Sequence, residues 1–152
     1  MISVFGLANT LLAKARIQKI DITPMKLQKL LYFVYKHYLQ LTGEPLFAER
    51  FEAWRYGPVI ATVYDEFKKY GSGKIKEPYR DQNNEAWFYD ILDDNTNDSF
   101  VVSFNHIWKK YSEFSGIELS ELTHKVGSAW YNALLNGKLL LEDDDIKNEE
   151  WY

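Results

Sequence analysis

The segment from Thr23 to Gly43 constrains this chain more than any other. Thr23 is a residue type that caps helix N-termini, and Pro24 suits the first helical position, where its missing N–H costs nothing. Gly43, followed by Pro45, stops the helix. Between them Leu27, Leu30, Leu31, Val34, Tyr38 and Leu41 line one face, and Tyr32, Tyr35 and Leu39 line another. A helix that is apolar around most of its circumference has to be covered on several sides. The sequence therefore predicts a mainly α fold built around this helix as its centre.

Other helices can be read around it. Val4, Leu7, Ala8, Leu11, Leu12 and Ala15 recur at amphipathic helical spacing. From Phe51 to Tyr56 the pattern alternates, with Phe51, Ala53 and Arg55 on one side and Glu52, Trp54 and Tyr56 on the other, which predicts a short strand. Gly57-Pro58 is read as breaking that strand and opening a helix with Pro58 at its first position and a buried stripe of Ile60, Val63, Tyr64 and Phe67. Ile75–Tyr79 and Ala86–Ile91 flank a turn-like Asp81–Asn84 and are expected to form a hairpin. Asp93–Asn97 reads as a polar loop ending in a cap. Phe100 to Phe114 reads as a helix, followed by short helices at Leu119–Val126 and at Ala129–Asn136, the latter capped by Ser128. The acidic end, 142–152, is expected to be either a short helix or a loose tail. Neither an internal repeat nor a linker interrupts the 152 residues, so the expectation is one compact helical domain with a small β element, spanning 1–152.

Composition narrows the chemistry. The chain has no Cys, which excludes disulfides, thiolate metal sites and thiol nucleophiles. Its three histidines, His37, His106 and His124, show no ligand-like spacing and no helical His-Glu-x-x-His pattern, so no metal or other cofactor is expected. Gly71-Ser72-Gly73-Lys74 lacks the spacing of a phosphate-binding loop and reads as a helix terminator. Glu44, Glu49 and Glu52 form an acid/base cluster on paper, but a solvated loop and strand face is the favoured account of them. The favoured reading is that the chain is not an enzyme.

The formal net charge of −4 hides an asymmetry: residues 1–76 hold 12 basic and 6 acidic side chains, whereas residues 77–152 hold 6 and 16. A dominant basic footprint is missing, so generic binding along nucleic acid is not expected. The basic run Lys14, Arg16, Lys19, Lys26, Lys29 and Lys36 and its neighbouring tyrosines do not form a helix-turn-helix pattern. No apolar stretch approaches the roughly 18–20 residues of a spanning helix, and Met1–Ala15 lacks the charged start of an export signal. A soluble cytoplasmic protein is the default expectation.

The densest pattern is Thr23, then Lys26-Leu27-Gln28-Lys29-Leu30-Leu31-Tyr32, then Gly43 and Pro45-Leu46-Phe47, then Phe51, Ala53-Trp54 and Tyr56-Gly57-Pro58-Val59. Leu119-Ser120, Thr123-His124 and Trp130 follow downstream. In this order the pieces resemble the Panacea domain, the family of SocA-like antitoxins and phage-associated GepA-like proteins, over roughly residues 4 to 135.

The resemblance implies a mostly helical domain without catalysis that neutralises a toxin encoded by the adjacent gene. Direct binding is the leading reading. Delivery of the toxin to a AAA+ protease, or phage-associated regulation of a host protein, are the alternatives. Oligomeric state is left open. The positions carried over as partner-binding or motif residues are Lys26, Gln28, Lys29, Tyr32, Trp54, Arg55, Tyr56, His124 and Trp130. Leu27, Leu30, Leu31, Gly57, Pro58 and Trp130 are expected to build the fold. Lys26, Gln28, Lys29, Arg55, Tyr56 and His124 are the better candidates for function, because polar groups in a fixed arrangement need a reason.

Overall fold

A 19-residue helix, α2 (Pro24–Thr42), runs through the middle of the computed structural model, which describes residues 1–91 and 97–152. Thr23 caps it by accepting a hydrogen bond from the Lys26 amide, and Gly43 closes it in the left-handed region at φ 77°. Leu27, Leu30, Leu31, Tyr32, Phe33, Val34, Tyr35 and Leu39 are all buried, so the apolar circumference is covered as expected. The cover comes from α1 (Val4–Gln18), a β-hairpin of β1 (Glu52–Trp54) and β2 (Gly57–Val59), α3 (Ala61–Phe67), α4 (Ser99–Tyr111), α5 (Gly116–Thr123) and α7 (Asp143–Asn148), with α6 (Ala129–Leu135) bridging α5, α7 and β1.

The fold is mainly α with one small antiparallel hairpin, and its register pairs Glu52 with Val59, Ala53 with Pro58 and Trp54 with Gly57. This corrects the reading of Pro58 as a helix start. Proline satisfies both assignments locally, since its fixed φ suits a first helical turn and an edge strand alike. In the structure Pro58 pairs across from Ala53, and the helix begins three residues later at Ala61. The hairpin expected between Ile75–Tyr79 and Ala86–Ile91 does not form. A turn at 81–85 is present, but the flanking backbone is satisfied by α1 instead. Asn9 Nδ2 donates to the Tyr79 and Trp87 carbonyls, Asn9 Oδ1 accepts from the Tyr79 amide, and Thr10 Oγ1 accepts from the Tyr89 amide. The loop expected over Asp93–Asn97 lies, but for Asn97, outside the described residues. The cap after it is Asp98, whose carboxylate accepts from the Phe100 and Val101 amides.

α5 starts at Gly116 because Ser115 and Glu118 form a reciprocal capping box. The acidic end takes the helical alternative. Asp143, Asp144 and Asp145 occupy the first turn of α7, where negative charge suits the helix dipole. Beyond it the chain is tied to α2. Glu149 is 4% exposed; its Oε2 lies 2.7 Å from Lys36 Nζ, and its Oε1 accepts from Tyr32 Oη and the Ala129 amide, each at 2.8 Å. The Trp151 indole N–H donates to Gln40 Oε1 at 2.6 Å, and the Lys36 ammonium sits 3.9 Å from the Trp151 ring centroid. Before α7, Leu140 makes a single isolated antiparallel bridge with Glu52 of β1. The Ala53 amide donates to Leu139 O and the Leu141 amide to Phe51 O.

Candidate functional site

The β-hairpin turn, with the backbone just beside it (residues 54–60), is where most of the singled-out positions meet. Its carbonyls are claimed one after another by side chains from three helices. Trp130 Nε1 on α6 donates to Trp54 O at 2.6 Å. His124 Nε2, at the end of α5, faces Arg55 O at 3.0 Å, and Ser120 Oγ on α5 donates to Tyr56 O at 2.6 Å. On α2, Lys29 Nζ donates to Pro58 O at 3.0 Å, and the Gln28 carboxamide both donates to Ile60 O at 3.1 Å and accepts from the Ile60 amide at 2.9 Å. The Pro58 carbonyl and the Ile60 amide and carbonyl are bonded in buried surroundings, where backbone polar groups have to be paired. Five side chains therefore act as a collar around the turn.

Gly57 is where the collar is tightest. A Cβ there would stand 2.5 Å from Thr123 Oγ1 and 2.8 Å from Lys29 Cε, and its φ of +113° is outside the range of ordinary L-residues. Thr123 Oγ1 gives its proton to Ser120 O at 2.6 Å. His124 Nδ1 faces that same oxygen, also at 2.6 Å. A carbonyl only accepts, so a ring carrying one N–H donates to one of these two oxygens and a ring carrying both donates to both. The imidazole also packs on Trp130, with ring centroids 4.0 Å apart.

With its backbone held from behind, the turn points other side chains outward. Tyr56 is 54% exposed, and Arg55 is exposed with its guanidinium carbon 5.3 Å from the Tyr56 ring centroid. Trp54 is half-buried and meets Tyr64 of α3 edge to face, with centroids 4.8 Å apart. Tyr64 was expected in the buried stripe of its helix but is 38% exposed. The later start of α3 at Ala61 accompanies this change of face. Its place in the patch, like the collar role of Ser120, was not foreseen from the sequence; Ser120 stood in the quoted pattern without being assigned a task.

The remaining predicted positions lie elsewhere. Tyr32 is fully buried, and its hydroxyl is spent on Glu149. Burial first, and then the Glu149 carboxylate, push its pKa well above the usual tyrosine value. Lys26 is buried against α4's end, donating to the Ser112 carbonyl; desolvation lowers its pKa, with Asp21, Glu113 and Glu118 pulling the other way. Lys29 has its pKa lowered to about 7 by burial. Lys36 is lowered by burial against the opposing pull of Glu149. Thus Gln28, Lys29, His124 and Trp130 converge behind the turn, Trp54, Arg55 and Tyr56 form its front, and Lys26 and Tyr32 belong to separate buried contacts.

The fold does bring two histidines together, which spacing could not show. His37 and His106 stack with centroids 4.4 Å apart, and His37 Nδ1 lies 2.8 Å from Ser103 Oγ. Among the described residues no group of three or more His, Asp or Glu side chains is placed to hold a metal ion, and no helix is long and apolar enough to cross a membrane. Glu44 is exposed and Glu49 and Glu52 are partly exposed.

The family model described as antitoxin SocA-like, Panacea domain, matches residues 27–131, a span that holds the whole collar and the patch in front of it. Antitoxin SocA of Caulobacter vibrioides (strain NA1000 / CB15N) is 30% identical over 132 residues, covering 87% of this chain and 70% of that protein. No solved structure matches the chain.

Proposed function

The chain belongs to the SocA-like antitoxin family defined by the Panacea domain, and from that premise we propose that it neutralises a cognate toxin by binding it directly through the tip of the β-hairpin. The observation that carries this reading is the division of labour at residues 54–60. The inward-facing polar motif residues are used up on backbone carbonyls, and what they hold in place is a half-buried Trp54, backed by Tyr64, beside an exposed Arg55 and Tyr56. Trp, Tyr and Arg are the residue types that dominate binding energy at protein interfaces. A tip fixed by the collar loses little freedom on binding, which favours affinity. No catalytic step is assigned to the chain.

The partner is a toxin encoded by the adjacent gene, and the setting is the cytoplasm. Co-expression tests this. The neighbouring gene alone should arrest growth, this chain should relieve the arrest, and the two proteins should co-purify. A neighbour that is harmless and unbound refutes the reading. If the toxin's half-life falls sharply when this chain is present, delivery to a AAA+ protease replaces simple occlusion as the mechanism.

A further inference from the structure

His37 of α2 and His106 of α4 stack with ring centroids 4.4 Å apart where the two helices pack. Trp151 completes the cluster, its ring centroid 6.2 Å from that of His37. Two ammonium groups already lie beside that indole, Lys36 at 3.9 Å and Lys110 at 5.2 Å from its centroid. No carboxylate balances the imidazoles: among the described residues neither ring has an ion-pair partner. The Glu149 carboxylate is spent on Lys36, Tyr32 and the Ala129 amide, and Glu150 is exposed, giving its carbonyl to Lys36. Ser103 Oγ, 2.8 Å from His37 Nδ1, can donate or accept, so it serves the ring with or without a second proton. Burial first, and then His106 and Lys110, hold the His37 pKa below its ordinary value of 6.5. Desolvation and like charge both disfavour the charged ring.

We propose that the stacked His37–His106 pair is an acid-sensitive latch on Trp151: when the pair takes up a proton, Trp151 leaves its seat on α2 and α4 and lets water reach the charged ring. The two helices stay packed, because their contact is anchored in the core by Phe33 on Tyr111, with centroids 4.7 Å apart, and by buried Phe104 and Ile107. Glu149 stays as well, since its 2.7 Å pair with Lys36 is buried. Trp151 is the part of the cover over His37 that can yield. It is half-buried, lies in no helix or strand, and its side chain has one hydrogen bond, from the indole N–H to Gln40 Oε1 at 2.6 Å. A third positive charge beside Lys36 and Lys110 also weakens their hold on the indole. The departure of Trp151 uncovers Phe33 and Tyr111, which it overlies at centroid distances of 5.9 and 6.4 Å. The closed form binds the proton more weakly than the open form. The latch is therefore fully closed above the ordinary histidine value and opens as pH falls through it. None of Trp54, Arg55 and Tyr56 takes part, so the latch works whether or not the chain is an antitoxin.

Nuclear magnetic resonance of the full chain, alone, tests it through the Trp151 indole N–H, assigned by its loss in Trp151→Phe. From about pH 7.5 to about pH 5.5 the protection of that N–H against solvent exchange should fall about tenfold in the wild type, as one unit of separation between closed and open forms requires. The circular dichroism spectrum should not change over the same range. His37→Gln should hold the protection constant. His106→Gln and Lys110→Gln should each leave a smaller fall, because His37 then titrates beside less positive charge. His106 and Lys110 are exposed, so these two variants test the cluster without disturbing the core. Protection that ignores pH in the wild type overturns the proposal. So does a fall of undiminished size in His37→Gln/His106→Gln, which would place the titrating group elsewhere.

Discussion

The Lys29 ammonium lies 3.0 Å from the Pro58 carbonyl oxygen, on a side chain that is 1% exposed. Burial alone lowers its pKa to about 7. This makes Lys29 a costly residue at the centre of the collar, and the cost depends on pH.

The folded protein releases the Lys29 proton near pH 7, whereas the unfolded chain holds it up to the ordinary lysine value of 10.5. Between those values the unfolded state binds more protons, so the Lys29 contribution to stability rises with pH; below about 7 it is flat. Each unit of separation is worth about 1.4 kcal/mol, so the rise amounts to a few kcal/mol. Urea unfolding of wild type and Lys29→Met from about pH 7 to about pH 10 should show wild type gaining on the variant throughout. Equal slopes for the two proteins would contradict it.

Gly57→Ala should destabilise the fold by about 3 kcal/mol, since the new Cβ meets Thr123 Oγ1 and Lys29 Cε and the backbone is left-handed. The urea midpoint measures this. A loss under about 0.5 kcal/mol would mean that the collar yields easily.

Arg55→Ala and Tyr56→Ala should leave stability within about 0.5 kcal/mol of wild type, because both side chains are exposed. Toxin binding measured by calorimetry should weaken by about tenfold or more in each. Trp130→Phe should do the reverse in emphasis. Removing the donor to Trp54 O costs stability, about 1–3 kcal/mol, before it affects binding.

Glu149→Gln should cost about 3–5 kcal/mol, because it leaves the Lys36 ammonium buried without its counter-charge. Thermal unfolding of the single variants and of Lys36→Met/Glu149→Gln separates the lost pair from the orphaned charge. The double variant should be more stable than Glu149→Gln alone.

The central helix was legible almost to its ends, because Thr23, Pro24 and Gly43 are local signals acting within a few residues. The same holds for Ser128, which caps α6 as read. Pro58 was not legible. Its ring is compatible with a first helical turn and with an edge strand, and only pairing to Ala53 chooses between them. The segment 75–91 failed for a related reason. Its backbone groups could pair with each other or with Asn9 and Thr10, and α1, some 70 to 79 residues away in sequence, provided the partners. His37 and His106 likewise meet only through the packing of α2 on α4.

The candidate site divides in the same way. Its residues were visible as an ordered pattern, and the family followed from that order. The sequence by itself determined the helical class, the central helix and the membership, since apolar periodicity, caps and motif order are properties of neighbouring residues. The tertiary structure decided which polar motif residues face inward and which face outward. Gln28, Lys29, Ser120, His124 and Trp130 come from α2, α5 and α6, and they become one collar only when those helices pack around the hairpin tip and bring their donors to its carbonyls.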